Sequence, residues 1–273
     1  MAAPSARTRV RAPAVAGTFY PADPRALAAA VDGYLEAARR ARRTPPDAPP
    51  PKALIAPHAG YVYSGPVAAS AYVEVEALRG VVRRVVLLGP SHRVPLRGLA
   101  ASTAEVFATP LGDVPVDAEA TLAIAHLPQV KRLDAPHEWE HSLEVQLPFL
   151  QRVLGEFRLV PISVGEATPD EVAEVLELLW GGRETLVVVS SDLSHYYDYE
   201  TARRIDARTT RAIEELRPEG LDEESACGRV PARGLLVAAK RHDLRARTLD
   251  LRNSGDTAGS RDEVVGYGSY AFA

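Results

Sequence analysis

Short apolar runs alternate with amphipathic stretches along the chain. The apolar runs are rich in valine, leucine and isoleucine and occupy residues 52–56, 83–88, 157–164 and 185–190. Runs of this kind, bounded by glycine, proline and polar residues, are typical of buried strands. Between them, apolar residues recur at helical spacing, most clearly from Ser142 to Leu154. Strands that alternate with helices predict an α/β fold with a mostly parallel or mixed central sheet flanked by helices.

The length of 273 residues fits one large α/β domain. Residues 45–51 are proline-rich, but only about 50 residues precede them, too few for a second domain with its own core. We therefore expect a loose, flexible arm over residues 1–12 and a single domain over residues 13–273. A further helix is expected from Val67 to Leu78, after a turn over residues 57–66.

Composition narrows the classes of function. The net charge is -4 and no basic stripe is present, which argues against nucleic acid as a partner. No run approaches about 18 consecutive apolar residues, so no membrane span is predicted. The arginines near the N-terminus are not followed by an apolar segment, so no secretory signal is predicted and we expect a cytoplasmic protein. The single cysteine, Cys227, excludes an intrachain disulfide.

Histidines follow three of the strand-like runs. His58, His92 and His195 each lie in a short turn after such a run, and His141 opens the amphipathic stretch that begins near Ser142. Open α/β sheets build their sites beyond the carboxyl ends of their strands. A single such histidine could simply satisfy a loop carbonyl, but His58 and His92 together indicate two imidazole ligands of a metal. Imidazole suits iron, copper, zinc and nickel, so the ligand type does not identify the metal.

The residues alone leave the third ligand open among Cys227, Asp192, His195, and Glu144 with His141. Asp192 and His195 lie three residues apart, so the carboxylate could orient the imidazole as a general base or ligand, or could cap the turn. His141 and Glu144 would share one helix face, or Glu144 could belong to a capping box.

Cys227 precedes a predicted helix start and lies close to Arg229 in the sequence. Both features predict a lowered thiol pKa and hence a reactive or ligating thiolate. The alternatives are a small buried side chain and a cysteine hydrolase that pairs Cys227 with His195. The chain lacks a Gly-x-Ser-x-Gly elbow, a Walker A motif and a His-Glu-x-x-His helix, which argues against serine hydrolases, P-loop nucleotide binding and zincins.

Seven ordered motifs resemble those of the Memo family, named in prokaryotes AmmeMemoRadiSam system protein B. They are PAVAGTFYP at 13–21, IAPHAGY at 55–61, LGPSH at 88–92, TPLGD at 109–113, EHSLEVQLP at 140–148, SSDLSH at 190–195 and CGR at 227–229. The resemblance implies a fold similar to that of the LigB-like class III extradiol dioxygenases. Those enzymes hold Fe(II) with two histidines and one glutamate and leave open positions for catechol and O₂.

In this resemblance the two histidine ligands map onto His58 and His92, and the third ligand maps onto Cys227 instead of a carboxylate. A mononuclear Fe(II) site is implied, with copper or zinc as alternatives because a thiolate also suits softer metals. His195, Asp192 and His141 would be the catalytic acid/base residues. The residues expected around the pocket are Tyr61, Ser91, Glu144, Tyr196 and Arg229.

Two classes of function follow from these residues. The first is a non-haem, metal-dependent oxidoreductase of the extradiol dioxygenase type, acting on a small aromatic substrate. The second is a non-catalytic binding module that uses the pocket for a metal, a peptide or a protein partner. The prokaryotic family name implies AMMECR-type and radical-SAM proteins as partners.

Overall fold

The computed structural model describes residues 8–45 and 48–273. Its strands are β1 (Val10–Arg11), β2 (Ala53–Ala56), β3 (Arg84–Pro90), β4 (Leu99–Ala101), β5 (Val106–Thr109), β6 (Gly112–Pro115), β7 (Val130–Arg132), β8 (Arg158–Val164), β9 (Thr185–Ser190), β10 (His195–Tyr197), β11 (Ala246–Asn253) and β12 (Val264–Phe272). Its α-helices are α1 (Pro24–Ala41), α2 (Tyr61–Tyr72), α3 (Ala118–Ala123), α4 (Ala135–Glu138), α5 (Leu147–Leu154), α6 (Pro169–Leu179), α7 (Tyr199–Glu214) and α8 (Arg229–Arg241).

A mixed main sheet forms the centre of the domain. In the described part of the chain it has nine strands in the order β10-β12-β2-β9-β3-β8-β4-β7, with β11 paired to the outer side of β12. The four central strands β2, β9, β3 and β8 are parallel, and antiparallel pairing begins at β12 and at β4. The predicted α/β class and the mixed sheet flanked by helices are confirmed. The further likeness to LigB-like enzymes stays a prediction.

The central strands are mostly apolar on both faces because both faces of the sheet are covered. Alternate residues of a strand point to opposite faces, and Leu54 and Ile55 of β2 accordingly belong to two different core clusters. Helices α1, α2 and α5 cover one face, and α6, α7 and α8 cover the other. A buried parallel strand therefore lacks the polar alternation of a half-exposed one.

None of the helices in the described residues is long and apolar enough to cross a bilayer.

The N-terminal segment is more ordered than the sequence predicts. Residues 1–7 of the expected arm lie outside the described residues, but Val10–Arg11 form β1, which pairs in parallel with β5 in a small sheet completed by β6. Arg11 is buried and forms an ion pair with Glu144. This long-range pair has no local signature in the sequence.

Two helices differ from the sequence-based boundaries. Helix α2 begins at Tyr61, inside the predicted turn, because the Tyr61 N–H donates to the Phe19 carbonyl and Gly60 serves as the N-cap; it ends at Tyr72, and residues 73–78 form a 3₁₀ helix. The helix predicted from Ser142 begins only at Leu147, after a 3₁₀ turn. Pro148 suits the first turn of a helix, where its missing N–H costs no hydrogen bond.

Candidate metal centre

Three histidine side chains converge at the carboxyl edge of the sheet. Each of His58, His92 and His141 offers a ring nitrogen, and these three atoms lie within 4.8 Å of one another. The ring centroids of His58 are 5.2 Å from His92 and 5.4 Å from His141, and His92 and His141 are 4.8 Å apart. The cluster therefore has the size and the donor type of a mononuclear metal site.

The sheet topology explains why these residues meet. Strands β2 and β3 both pair in parallel with β9, so their carboxyl ends lie at one edge of the sheet. His58 follows β2 and His92 follows β3, whereas His141 comes from the loop between α4 and α5. The sequence predicted the meeting of His58 and His92. The residues alone offered His141 with Glu144 as one candidate for the third ligand, and the resemblance implied an acid/base role for His141. The geometry brings a ring nitrogen of His141 into the cluster.

The His58 ring is locked in one tautomer by Ser190. The Ser190 hydroxyl has one hydrogen, which it donates to the Ser142 carbonyl at 2.6 Å, and it accepts a hydrogen bond from Gln146 Nε2 at 2.7 Å. Its remaining lone pair can only accept, so the 2.9 Å contact with His58 Nδ1 requires a hydrogen on Nδ1. His58 Nε2 therefore carries a free lone pair. Burial keeps the ring neutral by lowering its pKa well below the usual value.

Glu140 holds His92 and the start of the next turn. Its carboxylate accepts hydrogen bonds from His92 Nδ1 at 2.9 Å, from His92 N at 2.6 Å, and from the N–H groups of His141 and Ser142 at 2.9 Å each. Burial raises the pKa of Glu140, but these donors, His92 first, outweigh it and lower the pKa to about 2. An ionised carboxylate only accepts, so Nδ1 of His92 bears a hydrogen, and Nε2 is the ring nitrogen that faces away from Glu140.

Glu140 was missing from the sequence-based site residues. It stands in the quoted motif beside His141, but its backward reach to His92 depends on the fold.

His141 has a buried nitrogen without a hydrogen-bond partner among the described residues. Its Nδ1 lies 3.3 Å from Glu140 Oε1 without the geometry of a hydrogen bond. The ring stacks on His92 at an interplanar angle of 19° and contacts Phe19 at a centroid distance of 4.8 Å. Burial is the main cause that lowers its pKa to about 4. A neutral imidazole with an unpaired buried nitrogen is a suitable metal ligand.

Cys227 lies against His58, with Sγ 3.2 Å from His58 Nε2. Because His58 Nε2 bears no hydrogen, the thiol donates to it. The sequence-based expectation of a lowered thiol pKa is wrong for the protein without a metal: burial first, and then the charge of Asp192, raise the pKa of Cys227. Arg229, expected to favour the thiolate, pairs instead with Glu223 at 3.3 Å. A metal ion at the cluster would be needed to stabilise the thiolate.

Asp192 and His195 lie in the same pocket but do not bond to each other. Asp192 Oδ1 accepts from the His58 N–H at 2.7 Å, and His195 Nδ1 donates to the Leu193 carbonyl at 2.8 Å. Asp192 thus orients the His58 backbone, while His195 is held by its own turn with Nε2 free. Burial raises the pKa of Asp192 to about 7 and lowers the pKa of His195.

The other residues expected around the pocket occupy varied positions. Tyr61 is buried in the core and donates to the Val145 carbonyl, so it is not at the pocket rim. Ser91 donates to the Val94 carbonyl and closes the turn that carries His92. Tyr196 lies at the rim with 72% of its surface exposed and a φ of 62°.

Glu144 lies behind the pocket rather than in its wall. It is fully buried, forms an ion pair with Arg11, and accepts hydrogen bonds from the Tyr20 hydroxyl and from the N–H groups of Ala14 and Val15. Glu144 therefore fastens the N-terminal segment, which carries the pocket residue Phe19, and does not act as a helix cap.

The pocket over the cluster has a volume of about 640 Å³ and is large enough for a small organic ligand. Its walls include Phe19, His58, His92, His141, Asp192, Leu193, His195, Tyr196, Cys227 and Val265. His58 and His92 each have the hydrogen on Nδ1, which leaves Nε2 as the donor atom, and His141 has an unpaired Nδ1. Such a set fits a divalent transition metal once the Cys227 thiol gives up its contact with His58 Nε2. The donor set does not by itself decide among iron, copper and zinc.

Comparisons of the sequence with a family model and with curated proteins lead to one family. A family model described as Memo-like protein matches residues 11–271. Proteins called MEMO1 family protein are similar over nearly the whole length: one from Aeropyrum pernix at 40% identity (95% of this chain, 98% of the other) and one from Aquifex aeolicus at 38% (95% and 97%). One from Sulfolobus acidocaldarius is 36% identical (96% and 99%). A solved structure of an uncharacterized Escherichia coli K12 protein is a distant likeness, with a TM-score of 0.48 at 14% identity, covering 79% of this chain and 98% of that one.

Proposed function

The chain belongs to the Memo-like protein family, and we propose that it binds one transition-metal ion through His58, His92 and His141. The observation that carries this proposal is the convergence of the three ring nitrogens within 4.8 Å. Hydrogen bonds to Ser190 and Glu140 support it, because they hold the ring hydrogen of His58 and His92 on Nδ1 and leave Nε2 as the donor atom for a metal. Preset tautomers of this kind are characteristic of metal-ligating histidines.

Cys227 is proposed as a further donor to the same ion. Its sulfur is already in contact with His58 Nε2, at 3.2 Å. The raised thiol pKa means that metal binding would have to displace the proton. In this proposal the set of His58, His92 and Cys227 inferred from the resemblance is retained, and His141 is added to it.

The finer proposal is a non-haem iron oxidoreductase that acts on an aromatic diol. When bound, Fe(II) would supply a centre at which the diol and O₂ can meet. His195, neutral because burial lowers its pKa, would accept a phenolic proton at Nε2. Asp192, whose pKa burial raises to about 7, can hold or release a proton near neutral pH. Phe19, Leu193 and Val265 give the pocket apolar walls against which an aromatic ring can pack.

This activity is tested by O₂ uptake of the Fe(II)-loaded protein with a panel of aromatic diols. We expect His195→Ala to keep its iron and to lose about 10²-fold or more of the rate, as expected for removal of a general base. His242→Ala is the matched control, because His242 stacks on Trp180, outside the pocket. Stoichiometric iron without substrate-dependent O₂ uptake in the wild type would contradict the oxidoreductase.

The alternative is a binding module that uses the same pocket for a peptide or protein partner, with AMMECR-type and radical-SAM proteins as candidates. The observation that favours it is the exposed aromatic surface of Tyr196 and Tyr63, of which 72% and 39% is exposed. Its test is co-purification of a partner that Tyr196→Ala abolishes while metal content is unchanged.

A further inference from the structure

A second, shallow hollow is lined by residues that neighbour the clustered histidines in the chain. It has a volume of about 440 Å³ and is lined by Ala14, Val15, Arg93 and Trp139; we call it the side hollow. Two of its residues are neighbours of the cluster in the chain: Arg93 directly follows His92, and Trp139 is two residues before His141. Each of these two residues thus stands within two positions of a proposed metal ligand.

Trp139 exposes 67% of its surface, although an indole ring normally packs against other groups. The chain has two tryptophans, and the other, Trp180, stacks on His242 at a centroid distance of 4.1 Å. The residue after Trp139, Glu140, is buried and fixed by its hydrogen bonds. Trp139 is therefore held at the surface by an ordered segment, with its ring available to a planar ligand.

Arg93 is a cation without a counter-charge in the described residues. No carboxylate in residues 8–45 and 48–273 lies within 4.0 Å of its guanidinium, and the side chain is exposed. The two buried carboxylates that follow Trp139 in the chain have other partners: Glu140 contacts His92, and Glu144 forms an ion pair with Arg11. A free guanidinium of this kind is suited to bind a carboxylate.

We propose that the side hollow recognises a planar ligand that carries a carboxylate, with the aromatic ring against Trp139 and the carboxylate on Arg93. The opposite end of the ligand would face the histidines. This inference rests on the proposed function, because it assigns a chemical class, an aromatic carboxylate, to the ligand of the metal site. Bidentate contact with a carboxylate gives both affinity and orientation.

The test compares 4-hydroxybenzoate with 4-hydroxybenzamide, which match in size but differ in charge. In full-length Trp180→Phe, Trp139 is the remaining tryptophan, so its fluorescence reports binding directly. Titrations use Zn(II)-loaded and EDTA-treated protein. We expect the benzoate to bind about tenfold more tightly than the benzamide, the equivalent of one charge-assisted contact. Arg93→Gln should abolish this preference, Arg93→Lys should keep part of it, and the exposed Arg97→Gln should leave it unchanged.

Equal affinity for the two ligands, or a preference that survives Arg93→Gln, would overturn the inference. Should Trp180→Phe fold poorly, calorimetry on the wild type and Arg93→Gln gives the same comparison. The preference should persist in EDTA-treated protein, because Arg93 is not a metal ligand. If the protein prefers the benzoate but binds no metal, only the proposed metal site is contradicted. If it binds metal but shows no preference for the benzoate, only the proposal for the side hollow is contradicted.

Discussion

Three histidine rings in the pocket use the hydrogen on Nδ1 for a hydrogen bond in the metal-free protein. Ser190 fixes His58, Glu140 fixes His92, and the Leu193 carbonyl fixes His195. None of the three acceptors has a hydrogen to donate to the ring: the Ser190 hydroxyl already donates to the Ser142 carbonyl, and a carboxylate and a carbonyl only accept. The rings therefore lose their freedom of tautomer and orientation when the protein folds. Metal binding then carries little further entropy cost at these residues, which favours it.

Glu140→Gln tests this account of His92. The amide offers one acceptor oxygen in place of two and carries no charge, so it cannot hold both His92 and the N–H groups of the following turn. We expect metal affinity to fall about 10- to 100-fold. Competition with a zinc chelator measures it. The exposed neighbour Glu138→Gln is the control, and equal affinities of the two variants would contradict the role given to Glu140.

Cys227 makes a separate prediction about protons. Burial raises its thiol pKa, so the folded protein without a metal carries the proton at neutral pH. If the sulfur becomes a ligand, that proton must leave on metal binding. Wild type should therefore release about one more proton per metal ion than Cys227→Ala does, measured with a pH-indicator dye in weak buffer. Identical proton release would exclude a thiolate ligand.

Among the individual site residues, the sequence could predict those that directly follow a strand. It could not predict residues whose position depends on side-chain packing. His58 and His92 were predicted together because each follows a buried strand. Glu140 could not be recognised, because its partner is 48 residues away. Tyr61 was expected at the pocket, but the start of α2 turns it into the core, where its hydroxyl meets a carbonyl.

Among the elements, the short strand β1 has the largest consequence for the site. Arg11 forms an ion pair with Glu144 and donates to the carbonyls of His137 and Glu140. The N-terminal strand thus braces the segment whose Glu140 side chain holds His92. Apolar contacts contribute too, since Val15 and Tyr20 of the same segment are buried in the core.

Arg11→Met tests this brace. The substitution leaves Glu144 buried without its cationic partner, which typically costs about 3–5 kcal/mol in the free energy of unfolding. The neighbouring exposed pair, Arg9 with Glu105 at 3.6 Å, is the matched control, and Arg9→Met should cost less than about 1 kcal/mol. Urea unfolding measures both. Similar small losses for the two variants would show that β1 does not brace the site.

The predictions of strands and helices were correct where the hydrophobic pattern was strong. The runs that became β2, β3, β8 and β9 are continuous and apolar because the strands are buried on both faces. Boundaries failed where tertiary contacts decided them. The Phe19 carbonyl starts α2 early, and the loop carrying His141 replaces the first turn of the helix expected from Ser142. A two-residue strand such as β1 has too little pattern to be recognised.

For the whole molecule, the decisive feature is the shared carboxyl edge of the parallel strands. One rigid sheet places His58 and His92 side by side, and the loop held by Glu140 adds His141. The sheet class and this edge could be predicted from the chain, whereas the brace and the side hollow could not, because both depend on contacts between segments far apart in sequence.

The most direct test of the metal site is the metal content of anaerobically purified protein by elemental mass spectrometry. We expect about one transition-metal ion per wild-type chain, with near-complete loss in His58→Ala, His92→Ala and His141→Ala. The exposed His126→Ala should keep its metal. Full metal content in His141→Ala would contradict the three-histidine site, and absence of metal from the wild type after reconstitution would contradict a metal centre altogether.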